Sequence, residues 1–189
     1  MKRFILTNKR KKKEEWTKLI KQKIGEVSSI IDISCGEDQF IFNLARKDNI
    51  PLCVGNDISW SQIESLNKKF KEVIFTNHNA SVLLFKENIF DVSYCSNTLH
   101  HMPSKKVLIN MLESMFKVAK KVIIVEIEDP KVTGGFPKLL NKYWFGTFLK
   151  DVGRAYLSAK DFNVIINNTF KGKELNKIVK SENKKYVII

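Results

Sequence analysis

At 189 residues with 43% hydrophobic side chains, the chain is long enough for one domain with a full core. It carries 33 Lys and Arg against 20 Asp and Glu, a net charge of +13, and no apolar run reaches the roughly 20 residues that span a bilayer. Met1-Lys2-Arg3-Phe4-Ile5-Leu6 opens like a signal peptide, but charge returns at Lys9 before an apolar stretch has formed, so the chain reads as cytoplasmic.

All the basic residues except Arg3, Arg10, Arg46 and Arg154 are lysine. Proteins that read nucleic-acid sequence rely on the planar fork of arginine. The charge therefore points first to a lysine-rich, solvated surface. A patch for RNA or another polyanion, or for an anionic membrane, stays open, with Lys9-Arg10-Lys11-Lys12-Lys13 as its densest run. Cys35, Cys53 and Cys95 have neither zinc-site nor disulfide spacing and read as buried free thiols.

In chain order, residues 1 to 9 read as loosely held. Lys12 to about Ile24 follows as a helix, with Trp16, Leu19, Ile20 and Ile24 on one face and Gly25 as its stop. Trp16 is a core aromatic or a cover for a ligand. Ser28 to Ile33 is a buried strand that climbs to Asp32, turns through Ser34-Cys35-Gly36-Glu37-Asp38 and opens into a helix from Gln39 to about Lys47. Such a turn sets backbone N–H groups at the carboxyl end of a strand, where open α/β sheets bind ligands. A carboxylate there repels a pyrophosphate and attracts an ammonium or sulfonium, and no G-x-G-x-x-G fingerprint is present.

Leu52 to Asp57 is a second strand ending in an acid that can accept two hydrogen bonds from vicinal ribose hydroxyls, or can cap the next helix. That helix runs to Phe70 with Ser59 or Ser61 as its cap. Glu72 to Asn77 is a short third strand, followed by His78, read as a surface imidazole, and by Asn79-Ala80. Phe90 to Cys95 is a fourth strand, and Asn97-Thr98-Leu99-His100-His101 is the loop at its carboxyl end. An imidazole there can act as a general base, His101 ahead of His100, or can pack structurally. A helix from Ser104 carries the apolar stripe Val107, Leu108, Met111, Leu112, Met115 and Phe116. The fifth strand, from Lys121, is the most buried, with Glu126 read as a solvated rim ahead of a contact for acceptor or cofactor.

Past Pro130 the chain turns aromatic. Phe136, Tyr143, Trp144, Phe145 and Phe148 wall a substrate, pack a helix or meet a partner. Ser158 caps a helix to about Asn168, and strands at about Phe170 to Lys180 and Lys184 to Ile189 form a terminal hairpin.

Three phrases give this order a family likeness. Asp32 to Asp38, Gly55-Asn56-Asp57-Ile58-Ser59 and Asn88 to Pro103 resemble class I S-adenosylmethionine-dependent methyltransferases, although Ser34 and Asp38 stand where that family usually has glycine. The resemblance implies an α/β, Rossmann-like seven-stranded sheet, mostly parallel with an antiparallel last strand and helices on both faces. One domain fills residues 1–189, with an N-terminal arm and helix over 1–24 and an acceptor-covering insertion over 131–157. It also implies S-adenosyl-L-methionine as cofactor and S-adenosyl-L-homocysteine as product. Asp32 anchors the methionine ammonium, and Ser34, Cys35 and Gly36 supply the backbone approach. Asp57 holds ribose and Asn79 adenine, Ile58, Ala80 and Asn97 join the cofactor-binding set, and the Asn97 to His101 loop stands at the reaction centre. His101 and His100 are the catalytic candidates, Tyr143, Trp144 and Phe148 the substrate-binding ones, and no metal is required. The chain lacks the Asn/Asp-Pro-Pro-Tyr and Pro-Cys signatures of base-modifying relatives, which favours a small-molecule acceptor with an oxygen, nitrogen or sulfur nucleophile. An RNA-directed enzyme and a non-catalytic binding protein are the alternatives.

Overall fold

The computed structural model describes residues 17–36, 39–127, 156–170, 179–180 and 185–188. Helix α1 covers residues 17–24 of that range. Then come β1 (Ser29–Ile33), α2 (Phe40–Asp48), β2 (Leu52–Asn56), α3 (Trp60–Lys69), β3 (Ile74–Thr76) and β4 (Phe90–Ser96). A 3-10 turn (Leu99–His101), α4 (Lys105–Val118), β5 (Ala119–Ile127), α5 (Ala159–Thr169), β6 (Val179–Lys180) and β7 (Lys185–Ile188) follow. The strands form one sheet in the order β3-β2-β1-β4-β5-β7-β6. β1 to β5 pair in parallel, and β7 runs antiparallel to both β5 and β6.

The hydrophobic pattern explains the layers. All five residues of β1 are buried, as a strand covered on both faces requires. Successive residues face opposite sides. Ile31 and Ile33 join Val54, Cys95, Leu112, Met115 and Phe162 in the core beneath α4 and α5. Ile30 joins Ile20, Ile41, Phe42, Leu66, Tyr94 and Ile123 beneath α1, α2 and α3. Gly55 lets β2 lie under that second layer. A Cβ there would stand 2.6 Å from the Phe75 ring and 2.8 Å from Phe42, two rings packed edge to face.

The helix ends show which cap signals decide. Gly25 takes a left-handed φ of +72° and donates to Lys21 O at 3.0 Å, and Lys121 of β5 donates to the carbonyls of Lys23 and Ile24, both at 3.1 Å. A glycine stop and a cation at a helix C-terminus both favour termination there. Ser104 and Ser158 cap α4 and α5 by accepting from Val107 N and Asp161 N. The expected serine cap of α3 is not made. Ser59 bonds Ser61 through its hydroxyl, and Asp57 supplies the carboxylate to the Ser59 amide instead. Phe170 closes α5 by donating to Ile166 O at 2.8 Å, so it belongs to that helix rather than to the last hairpin.

At the amino ends of the strands, Asp91 staples β4 to β1. Its Oδ2 accepts from the amides of Ser28 (2.9 Å) and Ser29 (3.1 Å), and Oδ1 accepts from Lys120 at 2.8 Å. The Lys120 ammonium and these amide donors hold its pKa down at about 2. Among the described residues, no helix is long and apolar enough to cross a membrane.

Candidate functional site

β1 has β2 on one side and β4 on the other, so the chain reverses its direction of winding beside β1. A crevice opens at such a reversal, outside the carboxyl ends of the strands. The turn after β1 lies there. Ser34 (φ 59°) and Gly36 (φ 43°) are both left-handed, which turns successive amides out of the sheet. Cys35 N still donates to Asn56 O at 2.9 Å, so the turn starts while β1 and β2 are paired.

Asp57 closes this turn against α3. Its Oδ2 accepts from Gly36 N and its Oδ1 from Ser59 N, each at 2.8 Å, and the residue is 8% exposed. Asp32 is more deeply buried, at 2%. The Cys35 thiol of this turn is buried too. Burial foremost, then the charge of Asp32 and that of Asp57, push its pKa far above the ordinary thiol range. Two carboxylates one strand apart therefore act on the same turn. Burial, followed by Asp32, likewise pushes the Cys53 thiol up to about 12. The three free thiols are buried, and these two are held protonated, so they are inert as nucleophiles.

Asn56 and Asn77 hold the next loop. The fully buried Asn56 side chain donates to His78 O (3.1 Å) and accepts from His78 N (3.0 Å) and Thr76 Oγ1 (3.1 Å). Asn77 Nδ2 donates to Asp57 O at 2.7 Å. Asn79 Oδ1, the oxygen assigned to adenine, accepts from Ser81 N at 2.9 Å in a local Asx-type turn. Ala80 packs against the core, and Ile58 stands 72% exposed beside Asp57. His78 is not the surface imidazole expected. It is half-buried edge-on to Phe85, and its Nδ1 is enclosed with no hydrogen-bond partner.

The loop after β4 is built by a second left-handed residue and a buried acid. Asn97 (φ 51°) donates its amide to Val125 O at 2.8 Å and its side chain to Ser96 Oγ at 3.0 Å. The 3-10 turn then separates the two histidines. His101 is exposed, and His100 is buried with Nδ1 at 2.6 Å from Glu126 Oε1. Glu126 was expected on a solvated rim. It is buried because it serves this turn, accepting also from Leu99 N (2.8 Å) and Ile127 N (2.7 Å).

Sequence reading missed Glu126, Tyr156, Asn56 and Asn77. The available signal for the first was a charge inside the apolar run Val122 to Ile127. Trp16, Glu37, Asp38, Tyr143, Trp144, Phe148 and the Lys9–Lys13 run lie outside the described residues. Among the described residues, no three His, Cys, Asp or Glu side chains group as a metal site.

Residues 30–122, which run from β1 into β5, match the family model described as a methyltransferase domain. Over that stretch the chain is similar to a methyltransferase domain. The sheet order places that match around both acids and the Gly36 turn. The chain is 22% identical over 153 residues to the probable methyltransferase ltbC of Aspergillus luteorubrus, covering 74% of this chain and 54% of that protein. It is 25% identical over 131 residues to the putative methyltransferase YqeM of Bacillus subtilis strain 168, covering 66% and 52%. The chain thus spans about half the length of the curated relatives it matches. The methyltransferase fold recurs in the crystal structure of a SAM dependent methyltransferase from Aquifex aeolicus, with a TM-score of 0.66 and 15% identity over 91% of this chain and 87% of that one.

Proposed function

We propose that this chain moves the methyl group of S-adenosyl-L-methionine to a small-molecule oxygen, nitrogen or sulfur nucleophile and releases S-adenosyl-L-homocysteine. The observation that carries the reading is the Asp57 carboxylate, clamped at 2.8 Å between the Gly36 and Ser59 amides at the sheet reversal. The donor set fits the cofactor. Each Asp57 oxygen accepts one amide and keeps a second lone pair, so the pair can take two vicinal ribose hydroxyls. Asp32, buried one strand away, supplies negative charge for the methionine ammonium.

The bound cofactor brings an electrophilic methyl on a cationic sulfur. The chain does the rest by binding, orientation and exclusion of water. The Ser34-Cys35-Gly36 turn lets the cofactor approach the backbone, with no Cβ at Gly36 to hold a ligand away. Asn79 accepts from the adenine amine through the second lone pair of Oδ1, flanked by Ile58 and Ala80. Asn97 joins the cofactor-binding set, and the exposed His101, ahead of the buried His100, is the candidate that takes the acceptor's proton. The aromatic residues Tyr143, Trp144 and Phe148 are the candidates for contact with an apolar acceptor. Three free thiols suit a reducing cytoplasm.

Calorimetry with S-adenosylhomocysteine tests the reading. The wild type is expected to bind, and Asp57→Ala to bind at least about tenfold more weakly, as loss of two hydrogen bonds to a charged group requires. Equal affinity in the variant removes the ribose assignment.

A further inference from the structure

The cofactor reading uses the carboxyl end of the sheet and leaves the charge at the opposite end without a purpose. α2 and α3 each lie between parallel strands, so both run back and stop at the amino end. Both stop on cations, Arg46 and Lys47 in α2 and Lys68 and Lys69 in α3. Cations in a last turn suit the helix dipole. Here the two helix ends also converge. The Arg46 guanidinium lies 5.0 Å from the centroid of the Phe70 ring and the Lys69 ammonium 5.6 Å, and Arg46 Nη2 reaches Lys69 O at 3.5 Å. α1 joins them, because Lys21 meets Asp48 at the end of α2 at 2.6 Å.

These charges do not cancel. Glu72 answers Arg46 at 2.5 Å and Glu64 answers Lys68 at 3.3 Å. Lys69 bonds the neutral amide of Gln39, and Lys18 and Lys47 meet no acid among the described residues. Together α1, α2 and α3 carry seven cations against two acids, whereas α4 and α5 carry four against two. Like charges so gathered repel one another, and a bound polyanion relieves that repulsion.

We infer that α1 and the last turns of α2 and α3 form a docking surface for the phosphodiester backbone of a nucleic acid. Packed helices stand about 8–10 Å apart, so three of them spread the cations over roughly 20 Å, room for a run of phosphates and more than one small anion fills. Arg46 apart, the cations are lysines, point charges that hold phosphate without reading bases, so the binding is independent of sequence. A membrane is the other large polyanion, but basic helices that lie on lipid also insert apolar side chains. No exposed large apolar residue among the described residues belongs to α1, α2 or the last turn of α3. The nine residues of α2 separate this surface from the crevice by about 13 Å. A nucleic acid held here carries the protein and leaves the crevice open to a small acceptor.

Fluorescence anisotropy of the full chain with a labelled RNA hairpin tests this. The wild type is expected to bind in about the micromolar range, equally with a scrambled sequence, and to weaken steeply as salt rises. A DNA duplex of equal length separates the two sources of the backbone: comparable binding assigns the surface to either, and RNA-only binding to RNA. Combined Lys18→Gln, Lys47→Gln and Lys69→Gln should weaken binding about tenfold or more and lower the log–log salt slope by about two to three. Combined Lys105→Gln, Lys106→Gln and Lys160→Gln removes the same charge from α4 and α5, and should stay within about twofold of wild type, since charges beyond a Debye length are screened. All six lysines are exposed, and thermal unfolding verifies that both variants fold. Equal losses in the two variants overturn the proposal, because net charge alone then explains the binding. Absent RNA binding by the wild type overturns it too, as does tighter binding to vesicles of phosphatidylglycerol. Saturating S-adenosylhomocysteine should leave RNA affinity unchanged; competition between them overturns the placement at the amino end.

Discussion

Two aspartates gather backbone amides at opposite ends of the same sheet. Asp91, ahead of the β4 core, takes the Ser28 and Ser29 amides and is answered by the Lys120 ammonium at 2.8 Å. Asp57, past the end of β2, takes the Gly36 and Ser59 amides, is more buried, and pairs with no cation among the described residues. Asp32, more deeply buried still, lies at the same end of the sheet on the neighbouring strand. Neutralised acid stabilises; unneutralised buried acid costs free energy unless a positive ligand arrives. The amino end of the sheet thus holds a neutralised acid, while the acid at the carboxyl end is the one proposed to meet the cofactor.

The sharpest way to break this contrast is Asp91→Ala. It strands two amides and one ammonium, and a loss of about 2–3 kcal/mol in denaturant unfolding is expected, with S-adenosylhomocysteine affinity unchanged. A comparable loss of affinity would dissolve the distinction between the two ends. Asp57→Ala should do the reverse. Unfolding stability should fall less than in Asp91→Ala, by about 1–2 kcal/mol for the two lost amide bonds with no ion pair beside them, while ligand affinity falls about tenfold. Equal damage at both positions in unfolding experiments would make Asp57 a second staple.

Acid titration sharpens the contrast further. The folded pKa of Asp91 is depressed to about 2 by Lys120 and the amides, below its unfolded value of roughly 3.9. Its stabilisation is therefore complete above about pH 4 and lost as pH falls towards 2. Asp91→Asn should flatten the stability profile between those values. A wild-type profile already flat there would mean that the staple carries no differential charge. The smallest effect is expected at Ser34, whose left-handed backbone costs about 1–2 kcal/mol for a residue with a Cβ. Ser34→Gly relieves this, less the chain entropy of roughly 0.5–1 kcal/mol that glycine gives up on folding, for a net gain near 0.5 kcal/mol in thermal unfolding. A loss would show that the serine side chain contributes a contact of its own.

The parts of the molecule governed by local pattern were legible. A continuous apolar run makes β1 and β5 two-faced strands, Gly25 stops α1, and the acids at Asp32 and Asp57 follow directly from strand ends. What depended on partners distant in sequence was not. Ser59 and Ser61 offered a hydroxyl cap for α3, yet a stronger acceptor, Asp57, takes the Ser59 amide. Glu126 looked solvated because acids at strand ends usually are. Only the parallel pairing of β4 with β5 brings it under the turn that holds His100, 26 residues away. Phe170 read as a strand residue because it is aromatic, but its amide completes the last turn of α5.

The bond from the Gly36 amide to Asp57 has a practical side. A proton aimed at a carboxylate resonates well away from its neighbours, and its frequency follows whatever shares that oxygen. The loop therefore contains its own reporter: one peak in an amide spectrum by which fragments could be screened before any acceptor has been found.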